Sequence, residues 1–402
     1  MSFVKYLVLS LLCFTFFACR ENKEKKIIEQ DPDYQGIVYD SIPKIRKAIN
    51  ADVKSAQIAE IIQKKVALEG FNGNVLIAQR GIVLYKKSFG YANLETLDTL
   101  TAASKFQLAS LSKTFTSIAT MILAEEGKFS LENTVKDIYP NFPYEGVTIR
   151  SLLCHRSGLP NYQYAFDVRS RRDSTKLTNQ KLMQWFAEDK PALYNKPDHF
   201  YSYNNTNFAV LAAIVEKMSG MSFEKFARER IFLPLGMKDT FIVTSADSAL
   251  NKNRTFGFEG THKIQKDILD DVSGDKGVYS TSSDIYKWYK GLINHRLISP
   301  EATNEVFMPR SFEYAGFRNY GYGFRLWLNI KLQPEYIYHT GWWKGYNTIM
   351  WFDPKDEFVI IILTNRLNRT VYNIRELVDV LKSGKSSVEE DVTEGINSTG
   401  SR

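Results

Sequence analysis

The chain has 402 residues, of which 44% are hydrophobic, 24% charged and 13% aromatic. This composition provides enough apolar residues for roughly two or three cores, and it excludes disordered, collagen-like and coiled-coil proteins. The net charge of +7 comes from basic residues that are scattered along the chain, so we expect no nucleic-acid partner.

The first 18 residues have the pattern of a secretory signal. One early charge, Lys5, precedes an almost wholly apolar run over residues 6–17, which is too short to span a bilayer comfortably. Two interpretations remain open: an ordinary cleaved signal peptide, or a bacterial lipoprotein signal in which Cys19 becomes the lipidated first residue. Residues 16–19 resemble a lipobox, with Phe16 where leucine is usual. We therefore expect an exported protein, anchored through Cys19 to a membrane and facing the periplasm or the cell exterior.

Composition divides the rest of the chain into three parts. Residues 19–50 are expected to form a tether, because they are mostly polar and charged and lack the apolar content to pack. A folded domain is predicted over residues 51–382, with a mostly helical insertion over about residues 129–292. Residues 383–402, rich in serine and glutamate, are predicted to be a disordered tail.

The secondary-structure signals at the start of the domain are clear. Apolar residues recur at helical spacing over residues 48–68 and again over residues 110–126, and a glycine follows each run. Between them, two short apolar runs over residues 74–78 and 82–89 predict a β-hairpin.

The remaining signals are helical in the middle of the chain and extended toward its end. Helices are predicted over residues 149–154, 180–186, 207–218, 223–231, 283–293 and 371–381, and strands over residues 323–330, 335–341, 346–352 and 358–364. Strands at both ends that enclose a helical middle predict an α/β fold. In that fold, an antiparallel sheet flanked by helices is completed by distant segments, and the helical part is an inserted subdomain.

A first candidate for chemistry is the segment S-L-S-K, from Ser110 to Lys113. At a helix start, this spacing places a hydroxyl and an ammonium on one face, where backbone N–H groups can stabilise an anion. The same pattern S-x-x-K also begins at Ser2, Ser41, Ser222 and Ser273. For a single copy, a helix N-cap is the commoner explanation, so the other motifs of the chain must decide.

Two further motifs lie downstream. The segment Y-N-N, from Tyr203 to Asn205, offers a phenol and an amide directly before a predicted helix. The segment H-T-G, from His339 to Gly341, ends a predicted strand and is followed by two tryptophans. Its glycine allows a ligand to approach the backbone closely.

In this order, S-x-x-K, Y-x-N and H-T-G resemble the three active-site motifs of the penicillin-recognising serine hydrolases. The match is to the branch of class C β-lactamases, D-alanyl-D-alanine carboxypeptidases and family VIII esterases. Residues 106–116, 148–160, 231–240 and 277–283 resemble that family's connecting segments, and the likeness covers about residues 58–381. The resemblance implies a β-lactamase/transpeptidase-like fold and a serine hydrolase.

The resemblance also implies a role for each matched residue. Ser110 would be the nucleophile, Lys113 its base, and Tyr203 the group that passes a proton to the leaving group. The substrate-binding residues would be Asn205, His339, Thr340, Gly341 and Trp342. The backbone N–H groups of Ser110 and Trp342 would form the oxyanion hole.

His339 stands where β-lactamases have lysine. A partly exposed histidine with a pKa near 6.5 would be only about a quarter charged at pH 7, so its pull on a substrate carboxylate would be weak. We therefore expect neutral substrates to be favoured, and we expect His339→Lys to improve the turnover of anionic ones.

We predict an exported serine hydrolase that cleaves an amide or ester bond through an acyl-enzyme on Ser110. Three substrate classes remain open: D-amino-acid peptides, β-lactams and small carboxylic esters. The alternative is a non-catalytic lipoprotein that senses cell-wall peptides or β-lactams in the same site. No cofactor or metal is expected, because the five histidines never pair at metal-ligand spacing. Cys154 and His155 are expected to pack in the interior, and the oligomeric state is left open.

Overall fold

The structure, a computed structural model, describes residues 42–165, 177–243, 252–266, 268–313 and 315–382. The predicted signal, the Cys19 anchor, most of the tether and the tail lie outside these residues. The chain divides into two compact units, residues 1–48 and 49–402, and the described part of the first is one helix, Ile42–Ala48. Within the described residues, no helix is both long enough and apolar enough to cross a membrane.

The described helices are mostly short. They are α1 (Ile42–Ala48), α2 (Ala51–Glu69), α3 (Ser112–Glu125), α4 (Val135–Ile138), α5 (Ile149–Leu153), α6 (Tyr162–Ala165), α7 (Asn179–Asp189), α8 (Asn205–Ser219), α9 (Phe223–Ala227), α10 (Ser282–Ile293), α11 (Pro300–Val306) and α12 (Arg375–Leu381). Turns of 3₁₀ type lie at Ala109–Leu111, Ile268–Asp271 and Arg369–Tyr372, and a π turn lies at Arg228–Phe232.

The described strands are β1 (Gly73–Gln79), β2 (Ile82–Phe89), β3 (Tyr91–Asn93), β4 (Asp98–Thr99), β5 (Phe106–Gln107), β6 (Phe241–Ile242), β7 (Phe258–Glu259), β8 (His262–Lys263), β9 (Val278–Ser280), β10 (Arg318–Tyr320), β11 (Arg325–Leu328), β12 (Pro334–Trp343), β13 (Tyr346–Asp353) and β14 (Phe358–Thr364). Seven of them form one antiparallel sheet in the order β10-β11-β12-β13-β14-β1-β2.

The two ends of the domain meet inside this sheet, between its fifth and sixth strands. Strand β1 pairs with β14, from Gly73 opposite Thr364 to Gln79 opposite Phe358. Helix α10 packs on β1 and β14, and α2 packs on β2 and α12. Strands β13 and β14 are buried along their whole length, as expected of strands covered on both faces. The predicted α/β fold, an antiparallel sheet flanked by helices with a mostly helical insertion, is confirmed.

The last predicted helix begins later than expected. The pattern indicated residues 371–381, whereas the α-helix covers Arg375–Leu381 and a separate 3₁₀ turn covers Arg369–Tyr372. Between them Asn373 is extended, with φ of −78° and ψ of 92°, which no helix allows. Apolar spacing continues across this break, so periodicity alone could not locate it.

The helical insertion contains short strands that the sequence pattern did not predict. Strands β6 and β9 form a three-stranded sheet with β5, in the order β5-β9-β6. Each has only two or three residues, too few for a period of two to be recognised. This small sheet matters for the site, because it holds the segment that leads into Ser110.

Candidate active site

Ser110 lies where a strand turns sharply into a helix. Strand β5 ends at Gln107, and the 3₁₀ turn Ala109–Leu111 runs directly into α3. Ala109 has a φ of 50°, in the left-handed region that costs a non-glycine residue about 1 kcal/mol. The Leu108 N–H donates to the Val278 carbonyl at 2.8 Å, and the Leu108 carbonyl accepts from Thr348 Oγ1 at 2.7 Å. Contacts from two other strands therefore hold the turn that presents Ser110.

Gly341 allows strand β12 to approach this turn. A Cβ atom on Gly341 would lie 2.1 Å from the Leu108 carbonyl oxygen and 3.1 Å from Ala109 Cβ. No other residue fits at this distance without moving one of the two backbones. The backbone of Gly341 and Trp342 therefore lies beside the Ser110 turn. The exposed fraction of Trp342 is 47%, so the indole faces outward and only its backbone lines the turn.

The structure brings Ser110 and Lys113 together. Lys113 Nζ lies 3.0 Å from Ser110 Oγ and donates to the Asp275 carbonyl oxygen at 2.8 Å. Lys113 is fully buried, and within the described residues it has no carboxylate partner. Its amine lies 5.2 Å from the ring centroid of Tyr203 and 5.9 Å from that of Phe208. The amine is thus fixed between a backbone carbonyl, two aromatic rings and the serine hydroxyl.

The Tyr203 hydroxyl is available for a reacting group. Tyr203 ends the loop before α8, whose N-cap is Asn204, with Asn204 Oδ1 accepting from the Thr206 N–H at 3.0 Å. The hydroxyl oxygen of Tyr203 is buried and has no hydrogen-bond partner among the described residues. A buried phenol without a partner is costly, so a substrate or water is expected to complete it.

Asn205 pairs with a residue that the sequence motifs did not indicate. Its Nδ2 donates to Gln163 Oε1 at 2.6 Å. This leaves Asn205 Oδ1 as an acceptor and Gln163 Nε2 as a donor, both buried and both without a partner among the described residues. Gln163 lies on the short helix Tyr162–Ala165, far from any motif, and only the tertiary fold brings it to Asn205.

His339 is not the partly exposed, partly charged residue that we expected. Its side chain is fully buried in β12, and burial, together with the charges of Arg325 and Lys113, holds its pKa well below 6.5. The Nδ1 atom lies 2.7 Å from the Thr340 carbonyl oxygen, which can only accept, so Nδ1 carries the proton. His339 is therefore neutral at pH 7, and the expectation of a weak cation at this position is wrong.

A line of hydrogen bonds joins His339 to His155. The His155 Nδ1 accepts from the Asn204 N–H at 3.2 Å, so its Nε2 carries the proton and donates to the Tyr320 hydroxyl at 3.2 Å. The Tyr320 hydroxyl then donates to His339 Nε2, also at 3.2 Å. Burial lowers the pKa of His155 as well, so both imidazoles are neutral. The next residue to His155, Cys154, is buried, and its thiol pKa is raised to about 12.

Lys276 is a second buried lysine near the site, and no role was predicted for it. It forms an ion pair with Asp275 at 3.2 Å and donates to the Tyr162 hydroxyl at 2.6 Å, and burial lowers its pKa. It belongs to one of the other S-x-x-K segments, but the serine of that segment, Ser273, donates to Glu224 at 2.6 Å. In that copy of the pattern the serine hydroxyl is therefore bonded to a carboxylate and not to the lysine amine.

Comparison with known proteins shows which family the chain matches. The model of the Beta-lactamase family matches residues 58–382. Penicillin-binding protein 4* of Bacillus subtilis (strain 168) is 34% identical over 317 residues, which cover 75% of this chain and 70% of that protein. Teichoic acid D-alanine hydrolase of Staphylococcus aureus is 24% identical over 347 residues, which cover 85% of this chain and 82% of that protein.

Solved structures show the same fold. The octameric penicillin-binding protein homologue from Pyrococcus abyssi matches with a TM-score of 0.69 at 25% identity, over 82% of this chain and 77% of its own. FmtA from Staphylococcus aureus matches with a TM-score of 0.69 at 22% identity, over 83% of this chain and 88% of its own. The resemblance drawn from the three motifs, and the fold that it implied, are confirmed.

Proposed function

The chain belongs to the Beta-lactamase family, and from that premise we propose that it is a serine hydrolase that forms an acyl-enzyme on Ser110. One observation carries the proposal: the Lys113 amine lies 3.0 Å from Ser110 Oγ, under the ring of Tyr203, whose hydroxyl has no partner among the described residues. A nucleophile beside a buried amine is one arrangement that supports acyl transfer, because the amine can take the proton of the hydroxyl.

In the proposed acylation, Ser110 Oγ attacks the carbonyl carbon of the substrate, and its proton moves to the Lys113 amine. The bond to the leaving group breaks, the leaving group takes a proton from the Tyr203 hydroxyl, and Tyr203 regains one from Lys113. Water then attacks the acyl-enzyme and releases Ser110 with its proton. The backbone N–H groups of Ser110 and Trp342 are proposed to stabilise the oxyanion in both steps.

The amide pair of Asn205 and Gln163 supports an amide-bearing substrate. One unpartnered acceptor and one unpartnered donor, held side by side, match the N–H and C=O of a single amide group. We therefore propose that the acyl part of the substrate carries an amide, as D-amino-acid peptides and β-lactams do. Simple esters without an amide would leave both groups unpaired and are expected to be poorer substrates.

Export and anchoring remain proposals that rest on the sequence. The apolar run over residues 6–17 and the position of Cys19 support a lipidated, membrane-anchored protein. The polar composition of residues 19–50 supports a tether that holds the hydrolase domain off the membrane.

The decisive experiment is intact mass spectrometry of the purified protein with a chromogenic β-lactam, a D-alanyl-D-alanine peptide and a p-nitrophenyl ester. Wild type and Ser117→Ala should gain the mass of the acyl group from at least one compound, and Ser110→Ala should not. Ser117 is a matched control, because it is a buried serine of α3, the helix that follows Ser110, and it donates to the Tyr322 carbonyl at 2.6 Å.

The alternative, a non-catalytic sensor, predicts a different result. Wild type and Ser110→Ala would then bind the same compound with equal affinity, and neither would form an adduct or release product. That outcome would overturn the hydrolase proposal.

A further inference from the structure

Arg325 is a cation that has no acidic partner among the residues that the structure describes. It begins strand β11, opposite Tyr338 of β12, and its guanidinium carbon lies 4.9 Å from the ring centroid of Tyr203. Within the described part of the chain, it forms no ion pair, and its buried Nε has no hydrogen-bond partner. Its electrostatic neighbours are the four tyrosines Tyr201, Tyr203, Tyr338 and Tyr320.

Arg325 is half-buried, and a cation that is partly removed from water without a counterion is unfavourable unless its charge is used. The titratable and charged side chains that face the Tyr203 ring come from five segments and are Lys113, His155, Tyr320, Arg325 and His339. The two histidines are neutral, as shown above. Lys113 changes its own charge in the proposed reaction, whereas an arginine stays charged throughout. Arg325 is thus the one fixed positive charge in this set.

We propose that Arg325 is a positioning residue for this reaction, whose fixed charge stabilises the negative charge on the Tyr203 oxygen when the phenol protonates the leaving group. The proposal rests on the proposed function. Arg325 on β11 would then provide the positive charge that His339 on β12, being neutral, does not provide. The contribution is electrostatic and acts through Tyr203, so Arg325 need not touch the substrate.

The proposal predicts a dependence on the leaving group. A methyl ester needs a proton on its departing alkoxide, whereas p-nitrophenolate leaves without one. We expect Arg325→Met to lower kcat/KM by about tenfold for a methyl ester and to change kcat/KM little for the p-nitrophenyl ester of the same acyl group. Arg325→Lys, which retains a charge, should recover most of the loss. The two esters are both uncharged, so binding of a substrate carboxylate cannot explain a difference between them.

Matched controls separate this effect from a structural one. Arg318 stacks on the ring of Trp327 at 5.9 Å, so Arg318→Met removes a similar contact away from Tyr203.

A double variant tests whether Arg325 acts through Tyr203. In a Tyr203→Phe background, Arg325→Met should cause no further loss of kcat/KM for the methyl ester. The ascending limb of the pH profile of kcat/KM should move to higher pH in Arg325→Met, since loss of a positive charge makes proton loss from neighbouring groups harder. Thermal melting of each variant checks folding, and Arg325→Gln replaces Arg325→Met if the latter does not fold.

A readout without turnover distinguishes failure of this proposal from failure of the hydrolase proposal. Ionisation of Tyr203 is measured as the tyrosinate absorbance that wild type shows and Tyr203→Phe lacks. Arg325→Met should shift that component to higher pH even if no substrate is hydrolysed. An unshifted component, or an equal loss on both esters, would overturn the role of Arg325. If the wild type forms no acyl-enzyme and the component still shifts, the hydrolase proposal fails and the electrostatic coupling of Arg325 to Tyr203 stands.

Discussion

The hydroxyl of Tyr320 donates to Nε2 of His339 at 3.2 Å, and this hydrogen bond fixes a neutral, buried imidazole within reach of the charges of Arg325 and Lys113. His339 consequently shapes the site through its hydrogen bonds rather than through charge. Substitutions at this position therefore have consequences opposite to those of a surface histidine.

The first prediction concerns His339→Lys. A lysine here would place an ammonium without a counterion near Arg325 and Lys113, and the Tyr320 hydroxyl would lose its acceptor. We expect the free energy of unfolding to fall by about 2–4 kcal/mol. Urea unfolding of the variant measures this, with the exposed His262→Lys as a control that should stay near wild type. A stable variant with improved turnover of anionic substrates would contradict the neutral, buried assignment.

The second prediction concerns acid stability. The pKa of both His155 and His339 is lowered in the folded state, so at acidic pH the unfolded chain binds more protons than the folded one. The contribution of the two neutral histidines to the free energy of unfolding is complete above pH 6.5. It is lost as the pH falls below that value toward the lowered pKa. The slope is about 1.4 kcal/mol per pH unit for each histidine. Urea unfolding at several pH values should give a shallower loss for His339→Gln than for wild type; equal slopes would argue against a lowered pKa.

The third prediction concerns Gly341→Ala. The added methyl group would overlap the Leu108 carbonyl oxygen and push β12 away from the Ser110 turn. Displacing a catalytic group by about 1 Å lowers the reaction rate on the order of 100-fold. We therefore expect kcat/KM to fall by about that factor, with a smaller change in KM. The control is Gly70→Ala. A Cβ atom at Gly70 would contact no other atom, although alanine at its φ of 63° would lower the stability of the fold. That variant should melt earlier and keep its kcat; normal kcat in Gly341→Ala would show that the approach is not needed.

The fourth prediction concerns the amide pair. Asn205→Ala and Gln163→Ala should each lower kcat/KM by about tenfold for an ester whose acyl chain carries an amide. The loss should be much smaller for the analogous ester in which CH₂ groups replace the amide. The two substrates share a leaving group, so only recognition differs. Gln184→Ala is a suitable control, because the Gln184 amide donates a hydrogen bond to Glu188 on an exposed helix surface. Equal losses on both substrates would assign Asn205 and Gln163 a structural role only.

The fifth prediction concerns the anchor. Wild type expressed with its full N-terminus should fractionate with membranes and dissolve only in detergent, whereas Cys19→Ser should be released or remain an uncleaved precursor. Cys154→Ser is a control for loss of a thiol that is buried inside the domain. Wild type found wholly in the soluble periplasmic fraction would contradict lipidation.

Local spacing explains which parts of the site were predictable. Ser110 and Lys113 are three residues apart, so their meeting follows from helix geometry, and Tyr203 follows from its motif. Most strand positions follow from uninterrupted apolar runs, such as Phe358–Thr364. None of this depends on how distant segments meet.

The remaining features depend on tertiary contacts. Arg325 lies inside the strand predicted over residues 323–330, where the sequence does not distinguish it from an ordinary polar residue, and its position near the ring of Tyr203 arises only from the tertiary fold. The burial of His339 arises in the same way, from side chains that other segments supply, and residue type alone predicted the opposite. Gln163 carried no signal because its partner lies on another helix.

The pairing of β1 with β14 sets a limit on when the protein can fold. Residues 73–79 find their inner partner only in residues 358–364, so a growing chain cannot complete the sheet until nearly all of it has been synthesised. Contacts between such distant segments slow folding. The proposed export would benefit from this delay, because a polypeptide that has not yet folded can be passed through a membrane, and Ser110 would then reach its active-site partners only after transport.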